Sequence, residues 1–126
     1  MMKEGVKKKI LILEDEKPLA HALELKLTHE GFDVITTDNG ELGVSLLQKD
    51  SFDLVLTDLI IPGLDGFGVL ETIANKKLKV PVIVMTNLNQ EEDRKRATEL
   101  GAIEFFVKSN STLSEIVETV TKKVGK

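Results

Sequence analysis

Runs of strand-forming residues alternate with segments of helical spacing five times along this chain, and that alternation limits the possible folds more than any other feature. The runs are Ile10–Leu13, Val34–Thr37, Leu54–Thr57, Val82–Thr86 and Ile103–Val107. They are short and rich in leucine or β-branched residues, and most lack period-2 alternation, as strands buried on both faces do. Leu19, Ala22, Leu23 and Leu27 make a first helical stripe, closed by Gly31. Leu42, Leu46 and Leu47 make a second, behind the turn and cap chemistry of Asp38-Asn39-Gly40, with Asp38 read as the helix cap. Phe67, Leu70, Ile73 and Ala74 make a third, stopping near Asn75. Leu113, Ile116, Val117, Val120 and Val124 make the last, and Thr112 and Glu115 have capping-box spacing. Between Gln90 and Leu100 the only apolar members are Ala97 and Leu100, so weak docking to a core is expected there. Such alternation implies βαβ units with right-handed crossovers. The expected fold is α/β, a doubly wound parallel sheet of five strands with five helices. Ligands of such sheets sit beyond the carboxyl ends of the strands, where strand order reverses.

The chain's 126 residues suffice for one domain, taken as 1–126. With no cysteine, disulfides and zinc–thiolate sites are excluded. Seventeen basic and 21 acidic residues give a net charge of −4, with both signs dispersed. That argues against direct nucleic-acid binding, which leans on clustered positive charge. No apolar run approaches the roughly 20 residues of a membrane span. The opening "MMKEGVKKK" is not followed by a signal-like apolar segment, so a cytoplasmic protein is expected.

At the ends of the runs stand Glu14-Asp15-Glu16, Asp58, Thr86-Asn87 and Lys108-Ser109. Singly, each has a plainer reading: a solvated turn, a loop cap, a β-former, a surface lysine. Together they would meet at one rim. Clustered acids require a cation or raised pKa values, and oxygen-only ligands with room for water favour magnesium. An aspartate beside magnesium can act as a nucleophile towards phosphorus. Lys108 would neutralise the transferred group and the Thr86 hydroxyl would hydrogen-bond it, which is most of what phosphoryl transfer needs. Repulsion alone predicts that Asp15→Asn or Asp58→Asn raises thermal stability without magnesium.

"ILILEDE", "DLVLTDLIIPGLDG", "PVIVMTN" and "FFVKS", in this order and spacing, resemble the receiver domain of two-component response regulators, from about Lys8 to Lys123. The resemblance implies a flavodoxin-like sheet of order 2-1-3-4-5. It implies that Asp58 is the phosphoacceptor, and that Glu14 and Asp15 bind Mg2+ together with Asp58 and the Ile60 backbone carbonyl. Thr86 and Lys108 would contact the phosphoryl group, and Thr86 and Phe105 would form a switch. The donor would be a phosphohistidine on a sensor histidine kinase or a histidine phosphotransfer protein. Output would pass through the fourth helix, fifth strand and fifth helix to a downstream protein target in trans, from a monomer or a weak phosphorylation-dependent dimer. Gly66 would permit an unusual backbone angle after the phosphorylation strand. By this likeness the chain is a switch and a phosphoacceptor, not an enzyme in its own right.

The chain departs from the family pattern at several positions. Ser109 follows Lys108 where the family has proline after a cis peptide. A cis bond there would cost about 2.5–4 kcal/mol, so a trans loop that aims Lys108 differently is expected. Asn87 replaces a small residue, and Ile61 replaces methionine. Ile60 and Leu88 are apolar at positions that govern water access, which predicts slow self-dephosphorylation. Ile60 also stands where a phosphohydrolase would need its acid. The alternative is a phosphorylation-silent pseudo-receiver acting as an interaction module. His21 and His29 are read as surface residues, and Arg94-Lys95-Arg96 as a partner surface.

Overall fold

The computed structural model describes residues 7–125; positions 1–6 and 126 of the expected domain, including most of the "MMKEGVKKK" opening, lie outside the described residues. Strands β1 (Lys9–Leu13), β2 (Asp33–Thr37), β3 (Leu54–Thr57), β4 (Val82–Thr86) and β5 (Ala102–Val107) form one sheet in the order β2-β1-β3-β4-β5. All pairings are parallel. Helices α1 (Lys17–His29), α2 (Gly40–Lys49), α3 (Gly66–Asn75), α4 (Glu91–Glu99) and α5 (Leu113–Val124) make the crossovers. Strand order reverses between β1 and β3, which places the carboxyl ends of both at the switch point.

The missing period-2 signal has a simple cause. Ile10, Ile12, Leu54, Leu56, Ile83 and Met85 pack into one core with Leu23 and Leu27 of α1 and Ile116, Val117 and Val120 of α5. The alternate residues Leu11, Leu13, Val55, Val82 and Val84 pack into a second core with α2 and α3. Both faces of the central strands are apolar because both are covered. The edge strands β2 and β5 are only half-buried.

Local details differ from the sequence expectations in four places. The α2 cap is Asn39, not Asp38: Asn39 Oδ1 accepts from Glu41 N and Leu42 N at 2.8 and 3.1 Å, while Asp38 pairs with Lys17 at 3.9 Å. The buried stripe of α2 is Gly43, Val44 and Leu47, and Leu42 is 57% exposed. Likewise α3 buries Val69 rather than Ala74. The helix that looked poorly anchored, α4, buries only Ala97, but two of its arginines lie over rings. Arg94 sits 4.7 Å from the Phe105 centroid and Arg96 4.1 Å from that of Phe67. Each stack adds about 0.5–1 kcal/mol at such exposed positions. Two of the three charges read as a partner surface therefore dock the helix. The capping box of α5 forms as expected.

Candidate functional site

The carboxyl ends of β1, β3 and β5 bring three acids onto one ammonium, with a fourth acid beside them. Glu14 follows β1 and is 2% exposed; Asp58 follows β3 and is 5% exposed. Lys108 follows β5, and its Nζ lies 2.7 Å from Asp58 Oδ2, 2.8 Å from Glu14 Oε1 and 2.8 Å from Glu16 Oε1. Asp15 is exposed and does not reach the ammonium, yet it offers a carboxylate oxygen within 4.8 Å of those of Glu14 and Asp58. The peptide bond between Lys108 and Ser109 is trans, as expected. The expected redirection of Lys108 does not follow, because its side chain still spans to Asp58.

Local hydrogen bonds orient the acids. Asp58 Oδ1 accepts from Ile60 N at 3.1 Å, which turns the loop after β3 around the carboxylate. Glu14 Oε2 accepts from Glu16 N at 2.9 Å. Glu14 Oε1 is in ion-pair contact with Lys108 without hydrogen-bond alignment; among the described residues it is the buried side-chain oxygen left with no donor. Burial pushes the Glu14 carboxyl up, and the Lys108 ammonium only partly offsets that. Burial by itself would lower the Lys108 pKa, but its close contacts with the Asp58, Glu14 and Glu16 carboxylates outweigh it and hold the pKa above its ordinary value. One cation shared among several acids is strongly favoured as a cation, while the most buried acid is short of positive charge.

The donor set fits a hard divalent ion. It is all oxygen, it converges within one ion's reach, and it includes a buried carboxylate oxygen with no hydrogen-bond donor. Removing the charge of Asp15 takes away repulsion and no lysine contact. Asp15→Asn is therefore expected to raise the melting temperature of the metal-free protein by roughly 2–5 °C. Added magnesium should shrink that gap by favouring the parent, and a lower melting temperature would show that Asp15 is held favourably. For Asp58→Asn the geometry removes the simple expectation, because the same change weakens a charge-assisted bond to Lys108.

The remaining residues sit nearby in other states. Thr86 is fully buried at the end of β4, and its Oγ1 accepts from Leu88 N at 3.3 Å. Phe105 is half-buried beneath Arg94. The side chain of Ile60 is 58% exposed. His21 and His29 are exposed, as expected. Gly66 needs correction: its φ is ordinary, and the left-handed glycine of this loop is Gly63 at +78°. The sequence reading gave Glu16 no role, although it binds Lys108 across 92 residues of chain.

The family model for the response regulator receiver domain matches residues 10–121. A probable transcriptional regulator, ycf27, of Porphyridium aerugineum is 37% identical over 122 residues, covering 95% of this chain and 50% of that protein. The cell cycle response regulator CtrA of Brucella ovis is 35% identical over 100 residues, covering 79% and 43%. The chain thus spans about half the length of the curated relatives it matches, or less. Among solved structures, the non-phosphorylated HemR receiver domain of Leptospira biflexa superposes with a TM-score of 0.87 at 29% identity, covering 95% and 96%.

Proposed function

This chain belongs to the response regulator receiver domain family, and from that premise we propose that it is a phosphorylation-controlled binding switch with Asp58 as phosphoacceptor. The observation that carries the reading is the 2.7 Å contact between Lys108 Nζ and Asp58 Oδ2 in a pocket of converging acids. The proposed donor is a phosphohistidine on a sensor kinase or phosphotransfer protein. An Asp58 oxygen forms the new bond to phosphorus as the phosphorus–nitrogen bond breaks, its electron pair returning to the imidazole. The Ile60 N–H holds the other oxygen and fixes the direction of attack. Lys108 transfers its contact from carboxylate to phosphoryl oxygen and offsets the added charge. Glu14, Asp15, Asp58 and the Ile60 carbonyl are the proposed holders of Mg2+, which supplies further charge neutralisation when bound.

The switch in this reading starts at Thr86. Its hydroxyl leaves Leu88 N for a phosphoryl oxygen, and Phe105 turns into the space released. That strips Arg94 of the ring beneath it and repacks α4 and β5, the face proposed to meet a downstream protein. The two packings need differ by only a few kcal/mol for phosphorylation to invert their populations. In this reading the protein is a phosphoacceptor that assists its own modification, in a cytoplasmic setting. No helix among the described residues is long and apolar enough to cross a membrane.

Incubation with acetyl phosphate and magnesium is expected to add the mass of one phosphoryl group to the intact protein, and Asp58→Asn is expected to add none. No gain in the parent would favour the pseudo-receiver. Ile60 and Leu88 carry no group able to position water, so the aspartyl phosphate is expected to last minutes or longer. Decay within seconds, followed by intact mass after removal of acetyl phosphate, would contradict that account.

A further inference from the structure

The two departures that flank the candidate site, Asn87 and Ser109, are bonded to each other. Ser109 N donates to Asn87 Oδ1 at 3.1 Å. The β4–β5 ladder ends at the pair Thr86 and Val107, so the Asn87 side chain supplies a link one step further, where no backbone carbonyl of β4 continues the pairing. Asn87 directly follows Thr86, and Ser109 directly follows Lys108. The bond therefore joins the immediate neighbours of the two residues that would grip the phosphoryl group. It also holds the first turn after β5, a short 3-10 segment from Lys108 to Asn110.

We propose that Asn87 is a positioning residue: by holding the Ser109 amide it sets the turn from which Lys108 reaches Asp58, and it ties the Lys108 loop to the Thr86 loop. Lys108 reaches the pocket from the turn that follows β5, and its long side chain meets Asp58, Glu14 and Glu16 only at the tip. Small tilts at its backbone become larger displacements at Nζ. Misplacement of a reacting or neutralising group by about 1 Å can cost as much as ~100-fold in a positioned reaction. Asn87 touches neither Asp58 nor the carboxylates that would hold a metal, so its influence on the chemistry runs through Lys108 and Thr86.

The proposal rests on Asp58 being the phosphoacceptor, and its test separates the two. The single-turnover rate of phosphoryl uptake from acetyl phosphate at saturating magnesium is measured by intact mass. The parent, Asn87→Ala, Ser109→Pro and the double variant are compared, with the magnesium dissociation constant titrated in each. Asn87→Ala is expected to slow uptake about fivefold, the scale of one neutral hydrogen bond, with magnesium affinity within about twofold of the parent. Proline has no N–H, so Ser109→Pro removes the same bond from the other side and sets a reference without the strap, whatever its own rate; the outcome then does not hang on the folding of one variant. In that background Asn87→Ala should change nothing further. Uptake at the parent rate in Asn87→Ala, effects that multiply in the double variant, or a matching loss of magnesium affinity would each overturn the strap. A parent that gains no phosphoryl group overturns the phosphoacceptor reading, and the strap's role falls with it.

Discussion

Lys108→Met, at pH 7 and without divalent ions, is expected to melt roughly 10 °C below the parent, a loss of about 3 kcal/mol. The ammonium is in contact with Glu14, Glu16 and Asp58, and two of these are almost wholly buried. Methionine fills similar volume but leaves Glu14 buried without a nearby cation, and burial already pushes that carboxyl up. A carboxyl whose folded pKa is raised contributes stability that is present below its unfolded pKa and is lost as pH rises through the folded value. The deficit of Lys108→Met should therefore shrink as the solution is acidified towards the ordinary glutamate range. Magnesium should also recover more stability in this variant than in the parent, since a competing cation has left the pocket. Melting temperatures at several pH values, with and without magnesium, test both statements. A deficit that grows on acidification would mean that Lys108 is not the counter-charge of Glu14.

Gly66→Ala is expected to be about as costly, near 3 kcal/mol, for a steric reason. A Cβ on Gly66 would lie 2.4 Å from the Asp58 carbonyl oxygen and 2.7 Å from Leu59 Cα, both backbone atoms with little freedom to move. The first residue of α3 rests directly on the chain that carries Asp58, with Gly66 N donating to Leu59 O at 3.0 Å. Relief would require α3 or the β3 end to shift, so phosphoryl uptake should fall in whatever fraction remains folded. Gly63→Ala is the control. Its φ is +78°, and the atoms a Cβ would meet belong to the Asn39 side chain, which can yield only by loosening the α2 cap. About 2 kcal/mol is expected there, the backbone angle and the weakened cap together. If chemical denaturation ranks Gly63→Ala as the more damaging, close approach is not the reason for Gly66.

Much of this was legible in the chain because it depends on neighbours in sequence. Apolar runs without alternation announce strands covered on both faces, and Glu14, Asp58, Thr86 and Lys108 each stand at the end of such a run. The capping box of α5 and the stop at Gly31 are equally local. The α2 stripe was misread because leucine spacing alone does not say which face is turned inward. Gly43 and Val44 face the sheet, and Leu42 is left to solvent. The docking of α4 was misread because arginine counts as polar in any periodicity, while its guanidinium packs on rings supplied by α3 and β5.

The sequence by itself determined the order of the elements, the parallel sheet they must form and the rim at which the chemically useful side chains gather. Periodicity and strand length are properties of short segments, and chirality and connection rules narrow them to a doubly wound parallel sheet, whose strand order the family resemblance supplied. Only the tertiary structure decided that a trans turn still brings Lys108 to Asp58, 50 residues away in the chain. It also decided that Glu16 shares the ammonium, that Gly66 is needed for contact rather than for its angle, and that Asn87 and Ser109 are joined. Each of these depends on distances of a few ångströms between segments far apart in sequence, which no local pattern encodes.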